Sequence, residues 1–229
     1  MSRAATLLLL ACASARAFAQ ASAPEGAAPP SQAEQWLFMR PQLASLHVPR
    51  TIAYDYAARS GDAPPATDRA ALVLAPAADG HCCGAHVDYL SGPLAIALPD
   101  LDDPQGNPIL MYFLESEVRR LERDTHGQAA HFRRRIRQAL ADTATTADTT
   151  VRWNGKDVPA HVVRVTPFVD DPYRQRFERE AATAYEFVLS DAVPGGIWRL
   201  GATIPAAKAG DAPLAARTLT LADNPPPRR

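Results

Sequence analysis

The chain has 229 residues, with 24 lysines and arginines against 25 aspartates and glutamates and a formal net charge of −1. That balance excludes a general pull toward nucleic acid or anionic membrane, and the length allows one sizeable core or two small ones. Hydrophobic residues make up 47%, many of them alanine; lysine occurs only at Lys156 and Lys208, and cysteine only at Cys12, Cys82 and Cys83.

The N-terminal "MSRAATLLLLACASARAFAQ" has Arg3, an apolar run from Ala4 to Ala15, and Ala17-Phe18-Ala19 as a cleavage signal. It reads as a secretory signal peptide over residues 1–19, too short in its apolar run to span a bilayer. A lipoprotein site at Cys12 is the lesser alternative, because only about six apolar residues precede it where about seven are needed. The expected localisation is therefore periplasmic. Processing removes Arg3 and Arg16 and no acid, leaving 22 basic against 25 acidic residues. It also leaves Cys82 and Cys83 alone, and neighbours cannot staple distant parts of a chain as disulfides of exported proteins do.

Residues 20–35, "QASAPEGAAPPSQAEQ", carry no apolar period and read as a flexible linker. A single α+β domain is expected over 36–222, followed by a disordered tail, 223–229. In "TIAYDYAAR" (51–59) Ile52, Tyr54 and Tyr56 share a face. "RAALVLAP" and "GAHVDYL" flank Asp79-Gly80, a two-residue hairpin signal. "LAIAL" (94–98) predicts another strand. Asn154-Gly155 predicts a second hairpin, and "YEFVLSD" and "IWRLGATI" around "VPGG" (193–196) a third. "RTLTLA" (217–222) predicts an edge strand.

Two helical stretches interrupt the strands. Residues 108–141 predict a helix pair broken near Gly127, with Asn107 as the N-cap and Pro108 in the first position. A third helix is expected over about 172–184, capped by Asp171. Hairpins with grouped helices predict an α+β fold, not a doubly wound one. The expected form is a curled antiparallel sheet of about 7–9 strands, with the three helices packed on one face. This layout resembles, in architecture only, the half-barrel lipoprotein carriers of Gram-negative periplasms. A curled sheet with helices over its mouth makes a cavity, and such cavities commonly take a small or apolar ligand.

"HCCGAH" (81–86) looks like a metal or redox site. As strand, however, it sends His81, Cys83, Ala85, Val87 and Tyr89 to the more apolar face and Cys82, His86 and Asp88 to the other. Cys82 and His86 then lie roughly 13 Å apart at about 3.3 Å per residue, beyond the reach of a common metal ion with bonds of about 2.0–2.3 Å. Cys83 is expected as a small buried hydrophobe and Cys82 as a part-exposed thiol open to intermolecular pairing. No metal and no cofactor is expected.

Glu117 is the misplaced residue. At about 100° per residue its position falls inside the apolar arc of Leu110, Phe113, Leu114, Val118 and Leu121. A core-facing carboxylate needs a partner, and Arg133 and Arg135, flanking the apolar face of the next helix, are the candidates for a bidentate grip. Two readings follow: a buried pair fixing the helix crossing, which is preferred, or a desolvated acid with a raised pKa suited to proton transfer or to a polar ligand head. The arginines at 119, 120 and 123 interleave with Glu115, Glu117, Glu122 and Asp124 as on a solvated helix pair, while Arg133–Arg137 forms a modest basic spot. Aromatics do not interleave with these arginines, which speaks against nucleic-acid binding.

No G-x-S-x-G, H-E-x-x-H, Walker or Rossmann pattern occurs, and Ser91, Ser190 and Asp191 read as turn residues. His47 and His161 have no partner the sequence can assign. The preferred reading is a non-catalytic, exported binding or carrier-type protein for a small or apolar ligand. The alternatives are a periplasmic enzyme using Glu117 with a neighbouring Arg or His, and an envelope interaction module linked through Cys82. A membrane span is not expected, and the sequence leaves ligand and oligomeric state open.

Overall fold

Nine strands form one antiparallel sheet in the order β4-β3-β2-β1-β9-β8-β7-β6-β5. They are β1 (Arg50–Ser60), β2 (Ala66–Pro76), β3 (Cys83–Tyr89), β4 (Leu101–Asp102), β5 (Thr145–Trp153), β6 (Lys156–Val165), β7 (Ala184–Leu189), β8 (Ile197–Ile204) and β9 (Ala215–Leu221). The structure is a computed structural model and describes residues 29–76, 83–208 and 210–223. The expected signal peptide, the Asp79-Gly80 turn, His81, Cys82 and residues 224–229 lie outside the described residues. The sheet is curled and open, with β4 and β5 as its two edges.

The period-two patterns hold. Ile52, Tyr54 and Tyr56 are buried on β1 while Asp55 is exposed. On β3, Cys83, Ala85, Val87 and Tyr89 are buried and His86 and Asp88 exposed, which is the expected split of "HCCGAH" as far as it is described. The Asn154-Gly155 hairpin joins β5 to β6 in register from Trp153↔Lys156 to Thr145↔Arg164. Both turn residues have positive φ, 47° and 74°, as a primed two-residue turn requires.

Helix α1 is a single turn, Gln32–Glu34, extended by a wider turn over Gln35–Met39. Ser31 and Glu34 form a reciprocal capping box, and the Ser31 hydroxyl donates to the Leu140 carbonyl at 3.0 Å. The stretch read as a linker is thus structured from Ser31. Ser31-x-x-Glu34 is a helix-start signal that composition alone does not carry. Helices α2 (Ile109–Thr125) and α3 (Ala129–Asp142) are the expected pair. Asn107 accepts from the Ile109 amide at 3.1 Å. Its amide also donates to the Tyr54 hydroxyl and the Gly195 carbonyl, each at 2.8 Å. One side chain therefore ties the helix start to β1 and to the β7–β8 turn. Gly195 sits at φ +72°, and a Cβ there would lie 2.7 Å from Asn107 and 2.9 Å from Ile52.

Three expectations are corrected. Strand β9 is not an edge: it lies between β1 and β8 and joins the two halves of the sheet. "LAIAL" forms only a bridge, Tyr89↔Ile96, after a short 3-10 turn at Gly92–Leu94. Residues 172–184 form two 3-10 turns, Arg174–Arg176 and Glu178–Ala182, because Glu178 takes a positive φ that interrupts a continuous α-helix. Asp171 is not the cap of a helix: it accepts from the Tyr173 amide at 2.8 Å, while Tyr173 itself stands at the N-cap of the Arg174–Arg176 turn.

Candidate functional site

Helix α2 divides two very different surroundings. On one flank it turns a carboxylate toward the sheet; on the other it opens an apolar groove against α3.

Glu117 is buried, as its helix phase predicts. Its partners are not Arg133 or Arg135. Arg217 on β9 donates Nε to Oε1 at 2.6 Å and Nη2 to Oε2 at 3.0 Å, a bidentate grip from 100 residues away. Arg120, one turn along α2, adds Nη2 and Nε bonds to Oε2 at 3.1 and 3.3 Å. Its Nη1 reaches Glu180 at 2.8 Å and Asp124 at 3.2 Å. Arg217 points inward because it shares the phase of Ala215, Leu219 and Leu221 on β9. Its sheet neighbours are Ala58 and Ala202, whose small side chains leave room for a guanidinium.

Burial pushes the Glu117 carboxyl up, but the Arg120 and Arg217 charges and their hydrogen bonds outweigh it and hold the group below the usual glutamate range. The result is a firmly ionised, fully bonded carboxylate, the opposite of the raised pKa that proton transfer at neutral pH would need. Nearby, burial first and the Glu117 charge second push the Tyr185 phenol up, and its hydroxyl has no hydrogen-bond partner.

Arg133 and Arg135 have other duties. Arg133 grips the half-buried Glu115 through Nε and Nη2 at 3.0 and 2.8 Å, joining α3 to α2 near the surface. Arg135 faces Asp171 at 3.2 Å, and His131 bonds the same carboxylate at 2.7 Å. Glu117 is thus gripped by arginines from β9 and its own helix and not, as expected, by Arg133 or Arg135 of α3. The signal for the right one was present: counting back by twos from Leu221 places Arg217 on the apolar face.

The expected cavity between helices and sheet is occupied by side chains. Tyr54, Phe113, Tyr185 and Phe187 are fully buried there, with Phe113 and Phe187 edge to face. The apolar recess lies instead in the groove between α2 and α3, beside Phe38 and Leu98. It has a volume of about 630 Å³, within the roughly 300–1,000 Å³ typical of ligand pockets. Leu114, Val118, Ile136 and Leu140 line it, while Phe38 and Met111 stand 42% and 54% exposed beside it. Arg137 is at the margin of the groove. This flank was not anticipated, since it depends on the spacing of two helices and not on either one alone.

The serines read as turn residues are that. The Ser190 hydroxyl donates to the Pro159 carbonyl at 2.6 Å, and Ser91 is held by Asp68. His161 stacks on Trp36 with ring centroids 4.3 Å apart and bonds Asp148 at 2.8 Å. Among the described residues no three His, Cys, Asp or Glu side chains gather as a metal site, and no helix is long and apolar enough to cross a membrane.

No protein-family model and no curated protein matches this chain. Among solved structures it is similar to the crystal structure of the Mycobacterium tuberculosis lipoprotein LppX, at 10% identity and a TM-score of 0.29 over 74% of this chain and 84% of that one. So slight a likeness fixes neither fold nor function.

Proposed function

We propose that this is an exported, periplasmic, non-catalytic binding or carrier-type protein whose ligand is small and apolar and lies in the α2–α3 groove. One observation carries the reading: a groove of about 630 Å³ lined chiefly by aliphatic side chains stands open to solvent. Exposed apolar surface of that kind on a water-soluble domain marks a contact with something else. The groove also has a polar margin in Glu34, Glu115, Arg133 and Arg137, which suits a ligand whose one end stays in water.

Titration of the protein with the neutral fluorophore N-phenyl-1-naphthylamine tests this. Saturable enhancement is expected, with affinity at least tenfold lower in Met111→Arg, a change at an exposed position that leaves the core alone. Equal fluorescence for the variant and the parent would remove the groove from the account. Native mass spectrometry of freshly purified protein should show an apolar adduct that an organic extraction removes.

A further inference from the structure

On the opposite flank of α2 from the groove lies a second, smaller recess of about 120 Å³, lined by Tyr56, Leu90, Ser116, Glu117 and a set of arginines under the Pro93–Ile96 segment. Four arginines, Arg119, Arg120, Arg123 and Arg217, face it against the single carboxylate of Glu117. Glu117 is held by Arg217 and Arg120, Arg120 is paired further with Glu180 and Asp124, and Arg119 with Glu115, which leaves Arg123 without an ion pair among the described residues.

Two of the lining groups are themselves more than nine-tenths buried and keep unused donors. Tyr56 is 7% exposed, and among the described residues its hydroxyl makes no hydrogen bond to another protein group. Arg217, 8% exposed, commits Nε and Nη2 to Glu117, and among the described residues its Nη1 has no protein partner. They sit side by side on the core face, Tyr56 paired with Leu219 and Arg217 with Ala58 across β1 and β9. At the mouth, Arg119 spends Nε on Glu115 at 3.0 Å, and Arg123 is exposed and makes no ion pair among the described residues. The overlying segment is anchored: the Asp68 carboxylate accepts from the Ser91 amide at 2.7 Å and its hydroxyl at 2.9 Å.

We infer that this recess is an oxyanion site, in which Arg217 Nη1 and the Tyr56 hydroxyl bind a phosphate group from within while Arg119 and Arg123 bind it from the mouth. Donors held in place by a buried ring and a buried guanidinium, with no protein partner among the described residues and facing a space with room for one small group, are what a tetrahedral anion requires. The recess, about 120 Å³ against about 630 Å³ for the groove, suits a single small polar group. The inference stands on different residues from those of the groove and does not depend on it.

The test is calorimetric titration of the full chain with inorganic phosphate at low ionic strength. One saturable site is expected, with affinity at least fivefold weaker in Tyr56→Phe and in Arg123→Gln. Arg152→Gln, an exposed arginine on the β5–β6 hairpin, should bind as the parent does. Arg123 has no partner to lose, so its variant keeps the test open if Tyr56→Phe fails to fold. Dodecyl phosphate separates the sources: binding at least tenfold tighter than phosphate identifies a headgroup subsite, and equal affinity a site for the free anion. Absence of saturable binding by both, or the same weakening in Arg152→Gln as in Arg123→Gln, overturns the site.

Discussion

The two flanks of α2 invert the usual arrangement. Toward the sheet the helix buries Glu117 among Arg217, Arg120 and Glu180; toward α3 it leaves Met111 and Phe38 in water around an apolar groove. The buried flank shows how charge is tolerated inside: every oxygen of Glu117 is bonded and the two arginines come from different elements, so the pair also sets where α2 lies on the sheet. The open flank shows that apolar residues on a helix are not all spent on its own core. Charge serves placement, and exposed carbon frames the groove.

Breaking the buried flank should cost most. Arg217→Ala strands Glu117 with Arg120 alone and is expected to lose about 3–5 kcal/mol, the usual result of removing one member of a buried pair, as read by urea unfolding. Loss of under 1 kcal/mol would mean that water reaches the cluster. Gly195→Ala, which drives a Cβ onto Asn107 at a positive φ, should cost about 2–3 kcal/mol through strain and a damaged buried hydrogen bond. Thermal unfolding measures it, and an unchanged midpoint would mean that the turn relaxes freely.

Glu117→Gln keeps the shape and weakens the charged hydrogen bonds, for about 1–3 kcal/mol; equal melting temperatures would count against it. The same variant carries the pH signature. The Glu117 pKa is lower in the folded chain than in the unfolded one, so its stabilisation is present above the ordinary glutamate value of about 4.3. It is lost as pH falls through the depressed folded value. The parent should therefore lose stability more steeply below that pH than Glu117→Gln, and parallel curves would show that Glu117 does not contribute. On the open flank, Arg133→Ala removes an exposed ion pair with Glu115 and should cost less than about 1 kcal/mol.

Much of this could be read in advance, for local reasons. Alternation fixed the faces of β1 and β3, and Asn154-Gly155 fixed a hairpin, because neighbouring residues alone decide those. Glu117 was found by helix phase. Its partner was not, since nothing within one helix or strand links residue 117 to residue 217. Residues 172–184 carry helical spacing, yet Glu178 departs from helical φ. The groove belongs to the pairing of α2 with α3, which no single periodicity contains.

The position of β9 bears on how the chain comes into being. The last strand made is the one that joins the N-terminal hairpins to the C-terminal ones, so a growing chain stopped before Ala215 offers two naked sheet margins, β1 and β8, with no strand between them. Completion of the sheet must wait until nearly the whole polypeptide has emerged.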